Sequence, residues 1–308
     1  MAIFRKSGGK LIPVKELNFD LEKHIQKLTE DNLENIFDGL EFVKSEFQLG
    51  QFRIDTLAFD KEAKSFVIIE YKRAVERGLF EQGLAYMEIL LDRGSDFITE
   101  YNEQLNKSLR KSEVDKSQSR VIFVSPSFDK FQKQASNLDL HIELWEVSVY
   151  ENNLVEFTPI ISESKTRTKL QASNKGSIGK IQREIKTYSE EHHLLYAPKM
   201  TQMYKELKEK ILGLGDNMKI VYRKNYIAFR TTSGTKINFV AIAFQKNSMD
   251  IYMAGIKPNE IEDPKKIVQD VSTIGHPTSG LSRVRITKSS EIPYLFGLVE
   301  QSYRKSVK

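Results

Sequence analysis

A strand-like run that ends directly in charged residues is the first feature of this sequence that could perform chemistry. In SFVIIEYKRA, four apolar residues precede Glu70, Tyr71, Lys72 and Arg73, with no turn between them. Alternate residues of a strand share a face, so Glu70 and Lys72 are expected to point the same way. An acid beside a lysine can hold a cation or orient a water molecule. The same tripeptide also occurs at solvated strand ends, so it does not by itself indicate an active site.

A second acid is predicted to lie opposite the first. The runs QFRIDTLAFD and SFVIIEYK read as two strands joined by the polar turn KEAK, which pairs Asp60 with Ser65. The antiparallel register that follows places Asp55 opposite Glu70, about 5 Å away at Cβ. We therefore expect Asp55, Glu70 and Lys72 to converge. The alternative is an exposed cross-strand salt bridge.

Two carboxylates at this distance repel each other when both are ionised, and a hard divalent cation offsets the repulsion. Mg²⁺ in proteins takes one or two carboxylates together with waters and phosphate oxygens. A bound metal activates water and stabilises charge on a phosphate, and an adjacent lysine can orient or deprotonate that water. These parts together are what phosphodiester hydrolysis requires.

Two helices flank the predicted hairpin and carry further candidates. Gln82 and Tyr86 are four residues apart and share a helix face. Glutamine can hydrogen-bond a phosphate or a positioned water, whereas Tyr86 also fits core packing. On the first helix, Glu30 and Glu34 share a face. Either could reach the metal, and a solvated acidic face explains them equally well.

The elements in the first half of the chain predict a mixed sheet with helices on its faces. In chain order they are a helix over 19–37, strands over 40–49, 51–60 and 65–72, one long or two shorter helices over 79–109, a strand over 120–125, a helix over 127–138, a strand over 141–150 and a further strand in LVEFTPI. The fold class is thus α/β or α+β.

A polar, basic stretch separates this half from a second α+β domain. We predict a first domain over 1–161, a linker over 162–189 and a smaller C-terminal domain over 190–308. In the last, MTQMYKELKEKILGLG, PKKIVQDVS and IPYLFGLVEQSYRK read as helices, and the segments between the first two read as strands.

The motif elements together resemble the PD-(D/E)XK nuclease superfamily. They are a helix glutamate, Asp55 preceded by Ile54, the strand VIIEYKRA with Glu70 and Lys72, and the Gln-x-x-x-Tyr pair on the next helix. The last element is similar to the RecB-type branch, and the whole is similar to NucS/EndoMS-type and Mrr-like nuclease domains. The resemblance covers roughly residues 20–150 and implies a restriction-endonuclease-like fold.

The resemblance also implies a role for each matching residue in a Mg²⁺- or Mn²⁺-dependent DNA endonuclease. It gives metal ligation to Asp55, Glu70, the main-chain carbonyl of Tyr71 and the helix acid Glu34 (with Glu30 in reserve), catalysis to Lys72, and support of the site or the substrate strand to Gln82 and Tyr86.

This sequence departs from the family pattern in two ways. Ile54 stands where many members have proline before the aspartate. The nuclease-like part comes first, whereas NucS-type enzymes begin with a DNA-binding and dimerising domain, so mismatch specificity does not carry over. The block after residue 190 resembles an uncharacterised domain that follows such nucleases, in chains sometimes labelled "predicted transport protein". No segment here is long enough to span a bilayer.

Charge is distributed unevenly along the chain, whose net charge is +5. Residues 1–163 carry 21 Lys/Arg and 29 Asp/Glu, whereas residues 164–186 carry seven bases and one acid. Basic segments are candidates for DNA contact, although a well-solvated surface explains them too. The candidates in the linker are Lys165, Arg167, Lys169, Lys175 and Lys180. The basic C-terminal domain is a second candidate DNA-binding part.

Composition limits the kinds of binding site and the cellular location that the sequence predicts. The absence of cysteine excludes disulfides and thiolate metal sites, and with no apolar leader it predicts an intracellular, cytoplasmic protein without membrane contact. SGGK at 7–10 lacks the first glycine of a phosphate loop. A homodimer is left open. The alternatives to a nuclease are a non-cleaving nucleic-acid-binding protein with a nuclease-like fold and a regulatory protein.

Overall fold

The computed structural model describes residues 2–136, 138, 140–160, 176–231, 238–273, 278 and 280–307. These fall into two compact units, residues 1–186 and residues 187–308. None of the helices in the described ranges has the length and hydrophobicity to cross a bilayer.

The first unit contains nine strands and six helices in its described residues. The strands are β1 Phe4–Ser7, β2 Lys10–Pro13, β3 Glu16–Leu17, β4 Leu40–Leu49, β5 Phe52–Asp60, β6 Ser65–Tyr71, β7 Arg120–Ser125, β8 Ile142–Tyr150 and β9 Leu154–Pro159. The helices are α1 Glu22–Glu30, α2 Leu33–Ile36, α3 Leu79–Asp92, α4 Gly94–Leu105, α5 Lys130–Ala135 and α6 Ser177–Glu184.

Seven of these strands form one mixed sheet in the order β3-β8-β7-β6-β5-β4, with β9 paired to β8. Strands β4, β5 and β6 pair in antiparallel fashion, and β6, β7 and β8 run parallel. A parallel connection needs a crossover, and α3 with α4 provides the one between β6 and β7. The parallel strands therefore end together at one edge of the sheet.

Both faces of the sheet are covered, which explains why the central strands read as unbroken apolar runs. On β6, Phe66 and Ile68 pack toward α3 and α4, whereas Val67, Ile69 and Tyr71 pack toward α1 and α2. This alternation fixes which face each charged residue after Ile69 reaches.

The second unit is an antiparallel sheet with helices against one face. Its strands, in the sheet order β10-β11-β12-β13-β15-β14, are β10 Met218–Tyr222, β11 Ile227–Thr231, β12 Asn238–Gln245, β13 Ser248–Met253, β14 Gln269–Asp270 and β15 Ser282–Ile286. Its helices are α7 Glu190–Tyr196, α8 Thr201–Leu212 and α9 Ile292–Ser306.

The predicted fold class, a mixed sheet flanked by helices with a second α+β domain, is confirmed. Two details differ. The predicted linker over 162–189 includes α6, whose Ile181 is fully buried in the core of the first unit. The predicted helix in PKKIVQDVS is wrong, since that segment contains the short strand β14, which pairs with β15.

Candidate active site

The predicted hairpin register is confirmed up to the site. Strands β5 and β6 pair from Asp60↔Ser65 to Thr56↔Ile69. Beyond this pair, main-chain N–H groups bond to side-chain carboxylates of the neighbouring strand. The Asp55 N–H donates to Glu70 Oε1 at 3.1 Å, and the Tyr71 N–H donates to Asp55 Oδ2 at 3.1 Å. Each carboxylate thus accepts a main-chain hydrogen bond from the other strand, which holds both acids at the strand ends.

Burial and mutual repulsion make this acid pair electrostatically costly. Burial, reinforced by the negative charge of Asp55, raises the pKa of Glu70 to about 8. Burial also raises the pKa of Asp55, although the Tyr71 N–H and the Lys72 ammonium act in the opposite direction. Glu70 is only 2% exposed. A buried and a half-buried carboxylate that resist ionisation together are a donor set that a divalent cation would stabilise.

Lys72 follows Glu70 on the same face and lowers the pKa of both acids through its charge. Its N–H donates to Val124 O at 2.9 Å, which continues the pairing of β6 with β7. Its Nζ lies 3.7 Å from Glu76 Oε2, and its side chain is 12% exposed. The ammonium group is therefore nearly enclosed beside the acids, with one carboxylate partner on the loop before α3.

Helix α3 orients the pair from one side of the sheet. Gln82 Nε2 donates to Glu70 Oε2 at 2.9 Å and lies 3.3 Å from Tyr86 Oη. The Tyr86 hydroxyl donates to Arg53 O at 3.0 Å, and burial raises its pKa, so it remains protonated. Gln82 and Tyr86 thus connect α3 to both acid-bearing strands.

Only the backbone of Tyr71 adjoins the acid pair. Its ring packs on the opposite face with its Oη 3.0 Å from Thr56 Oγ1. Because Lys72 bonds to β7, the alternation along the strand turns the N–H and carbonyl of Tyr71 toward β5. The Tyr71 carbonyl consequently lies on the side of β6 where Asp55 is found.

The structure does not bring Glu34, the helix acid predicted to bind the metal, to this group. Glu34 Oε1 pairs with Lys61 Nζ at 3.0 Å, at the turn end of the hairpin, and the Glu34 side chain is 64% exposed. Asp55 lies six residues back along β5 from Lys61, roughly 20 Å away in an extended strand. Glu30, the reserve candidate, accepts hydrogen bonds from Gln26 and Thr56 on the face away from α3.

Two residues of α1 near the site were not singled out from the sequence. Gln26 Nε2 is 3.1 Å from Asp55 O and is buried. Glu22 raises the pKa of Asp55 through its negative charge and accepts a hydrogen bond from the Arg73 N–H at 3.1 Å. Glu22 and Gln26 are spaced i,i+4 in the first helix, and that spacing was the available signal.

The predicted basic linker residues are placed only in part. Lys165, Arg167, Lys169 and Lys175 lie outside the described residues. Lys180, on α6, pairs with Asp92 of α3 at 2.5 Å, and its side chain is 36% exposed. Because a carboxylate already neutralises Lys180, it is a weaker candidate for DNA contact than its sequence suggested.

The donor set fits a hard divalent cation. Asp55 and Glu70 supply carboxylate oxygens, and the Tyr71 carbonyl faces the same side. In the described part of the chain, no three His, Cys, Asp or Glu side chains form a metal-binding group. Mg²⁺ commonly binds to one or two carboxylates and completes its shell with water and phosphate oxygens, so a two-acid site suits it.

Comparison with known proteins gives one match along the whole chain. An uncharacterized protein of Haemophilus influenzae is 39% identical over 308 residues, covering 99% of this chain and all of that protein. A family model described as a domain of unknown function, DUF5655, matches residues 190–306.

Two solved structures are distantly similar. An EndoMS–double-stranded DNA complex is 22% identical with a TM-score of 0.30, covering 43% of this chain and 47% of that one. A repair endonuclease from Pyrococcus abyssi is 18% identical with a TM-score of 0.26, covering 43% and 49%. The aligned parts span about half the length of each nuclease chain.

Proposed function

The chain belongs to the family of the uncharacterized Haemophilus influenzae protein that it matches over nearly its whole length, and we propose that it is a divalent-metal-dependent DNA endonuclease. The observation that carries the proposal is the group formed by Asp55, Glu70 and Lys72. A buried and a half-buried acid, each hydrogen-bonded to the other's strand and with an enclosed lysine beside them, destabilise a fold unless their charges are compensated. Such a group is expected at a functional site.

Each side chain has a task in phosphodiester hydrolysis. Asp55 and Glu70, together with the Tyr71 carbonyl, would hold a divalent cation. When bound, the cation stabilises the negative charge that builds on the phosphate and activates water for attack. The enclosed Lys72 ammonium adds positive charge next to the acids and is placed to orient that water or the scissile phosphate.

Gln82 and Tyr86 serve as positioning residues. The Gln82 amide fixes the direction of the Glu70 carboxylate, and the Tyr86 hydroxyl fixes the end of β5 through Arg53 O. A misplacement of about 1 Å at a catalytic group can cost two orders of magnitude in rate. This explains why two hydrogen-bonding side chains converge from one helix face.

The test is cleavage of plasmid, linear duplex and single-stranded DNA by the full chain in Mg²⁺, Mn²⁺ and EDTA. We expect metal-dependent cleavage that Asp55→Asn abolishes and that Lys72→Met lowers by about 10²–10⁴-fold. Glu34→Gln is the matched control, because Glu34 pairs with Lys61 at the surface, away from the acid pair. It should cut as the parent does.

Three results would contradict this proposal: cleavage that persists in EDTA, an Asp55→Asn variant that cuts as well as the parent, or no cleavage in any metal. DNA binding in EDTA without cleavage in any metal would instead identify a non-cleaving nucleic-acid-binding protein. Melting curves of each variant show whether a lost activity reflects lost folding.

A further inference from the structure

The N-terminal strands form a ribbon outside the main sheet. Strands β1 and β2, called here the N-terminal ribbon, pair from Phe4↔Pro13 to Ser7↔Lys10 as a separate two-stranded sheet. All eight of its residues are exposed. A two-stranded hairpin gains little stability by itself in water. The ribbon therefore does not contribute to the core, and its exposed side chains require another explanation.

The turn of the ribbon is built for a tight hairpin. Gly8 and Gly9 have φ of 55° and 78°, and two successive residues with positive φ are what a type I′ turn requires. This turn matches the right-handed twist of the strands that it joins. The SGGK segment is thus a hairpin turn, not a phosphate loop.

The charge of the ribbon has one sign. Arg5, Lys6 and Lys10 lie on it, Lys15 follows it, and the first acid in the chain is Glu16. Across the ribbon, Arg5 pairs with Ile12 and Lys6 with Leu11, so no base faces an acid across the strands.

The paired apolar residues are also exposed, Leu11 by 66% and Ile12 by 41%. Among the ion pairs of the described residues, none involves Arg5, Lys6 or Lys10. The ribbon is therefore a cationic surface with apolar side chains between the charges.

Strand pairing places the ribbon at the edge of the sheet that carries the acid pair. Strand β3, just after the ribbon, pairs with Val149 and Tyr150 of β8. Strand β9 pairs with the same two residues, so it occupies one side of β8 and β3 must occupy the other, which is the side of β7.

The distance along the sheet follows from the register. Strand β7 ends at Ser125, opposite Glu146, and β3 begins to pair three residues later, at Val149, about 10 Å further along β8. Tyr71, at the end of β6, pairs with Val124, in the last two residues of β7. The ribbon therefore departs from the main sheet beyond the strand ends that hold Glu70 and Lys72.

We propose that the N-terminal ribbon lies in the major groove of duplex DNA bound at the Asp55–Glu70 site, an inference that rests on the proposed nuclease function. The major groove, about 12 Å wide, admits a two-stranded β-ribbon. Arg5, Lys6 and Lys10 contact the flanking phosphates or the base edges. Ile12, which shares a face of the ribbon with Arg5 and Lys10, lies against the floor of the groove, where thymine methyl groups are apolar partners.

Salt dependence of binding tests this directly. The affinity of the full chain for a fluorescent duplex is measured by anisotropy in EDTA, over a series of salt concentrations. Each phosphate contact contributes about 0.9 to the slope of log affinity against log salt. The triple variant Arg5→Ser/Lys6→Ser/Lys10→Ser should lower that slope by about 2–3.

A control triple variant removes the same charge elsewhere in the first unit. Lys61→Ser/Lys111→Ser/Lys116→Ser changes exposed lysines at the opposite end of the hairpin β5–β6, where the Asp115 N–H bonds to Lys64 O. This control should keep the parent's slope. Equal slopes for the two triple variants would overturn the proposal.

A second pair of measurements tests whether the ribbon lies in the major groove. A duplex with bulky substituents at cytosine C5, which fill the major groove, should bind to the parent several-fold more weakly than the plain duplex. For single-stranded DNA, the ribbon triple variant should have the same salt slope as the parent. Unchanged binding to the substituted duplex would overturn the proposal. So would dimerisation of the parent that Leu11→Ser/Ile12→Ser abolishes in sedimentation, since the ribbon would then bind to a second copy of the chain.

Failure of this inference is distinguishable from failure of the nuclease proposal. Metal-dependent cleavage by a ribbon variant with the parent's binding slope would refute the ribbon's role and leave the nuclease intact. The opposite result is a parent protein that cleaves no DNA in any metal, together with a ribbon variant whose salt slope is lower than the parent's. That result would refute the nuclease proposal and leave the ribbon as a DNA-binding element.

Discussion

At the scale of single residues, the site depends on a compromise at Glu70. Its carboxylate accepts hydrogen bonds from the Asp55 N–H and from Gln82, which favour the ionised form, yet burial and the charge of Asp55 oppose ionisation more strongly. Holding the two acids together thus lowers the stability of the folded protein. This is the usual relation between an active site and the fold that holds it.

Glu70 should make the metal-free protein less stable as the pH rises. Its folded pKa of about 8 lies above the usual glutamate value of 4.5. The folded state therefore holds a proton that the unfolded state has lost, and the free energy of unfolding falls as pH rises toward 8. In EDTA we expect the parent to lose about 2–3 kcal/mol more than Glu70→Gln between pH 6 and pH 9.

Urea unfolding followed by the fluorescence of Trp145, the single tryptophan, measures this difference. Glu34→Gln, which removes an exposed acid away from the acid pair, is the control variant. Parallel curves for the parent and Glu70→Gln would contradict the assigned pKa direction.

At the scale of elements, the position of α3 decides whether the site forms. Gly83 lies one residue after Gln82, and a Cβ there would be 2.9 Å from Ile142 Cδ1 and 3.1 Å from Phe123 Cε2. Glycine thus lets α3 approach β7 and β8 closely. At this approach, Gln82 Nε2 lies 2.9 Å from Glu70 Oε2.

Gly83→Val should move α3 and weaken the first unit. Inserting methyl groups into a packed interface typically costs about 1–3 kcal/mol. We expect a lower melting temperature by Trp145 fluorescence, together with a loss of cleavage, because Gln82 and Tyr86 shift with the helix.

Gly94→Val is the matched control for that change. It is also a helical glycine of the first unit, and nothing lies within 4 Å of a Cβ built there. Its stability should stay within about 0.5 kcal/mol of the parent. Equal melting temperatures for the two variants would show that α3 does not need a glycine at this contact.

At the scale of the whole molecule, the two units have separate cores and separate acid sensitivities. In the second unit His193 is buried on α7, stacks on Phe244 at 5.5 Å between ring centroids, and has Nε2 2.9 Å from Arg223 O. Burial lowers its pKa to about 4. Its contribution to stability is therefore complete above pH 6.5 and is lost as the pH falls toward 4.

The second unit should consequently lose about 2 kcal/mol between pH 7 and pH 4.5 through His193 alone. Hydrogen exchange of the full chain, read on amides of β11 and β12, measures this loss. His193→Gln retains a hydrogen-bond donor but cannot gain charge, so its protection should depend less on pH. Identical pH dependence in the parent and the variant would contradict the assignment.

Local patterns in the sequence were enough to predict the central strands and the register between β5 and β6. The apolar runs predicted the central strands, and the turn at Lys61–Lys64 set a register that placed Asp55 against Glu70 and Lys72 on one face. Local rules suffice there, because a short turn fixes the pairing of the strands that it joins.

Which distant residues join these acids depends on tertiary packing. Helix α1 presents Gln26 and Glu22 to the site and leaves Glu34 with Lys61, although all three are acidic or amide residues of one predicted helix. The break between α1 and α2 sets this choice, and periodicity did not locate it. The ribbon's exit beside the site likewise follows from β3 pairing with β8, a contact more than 130 residues apart in sequence. Such non-local pairing depends on how the whole sheet assembles, which no short segment encodes.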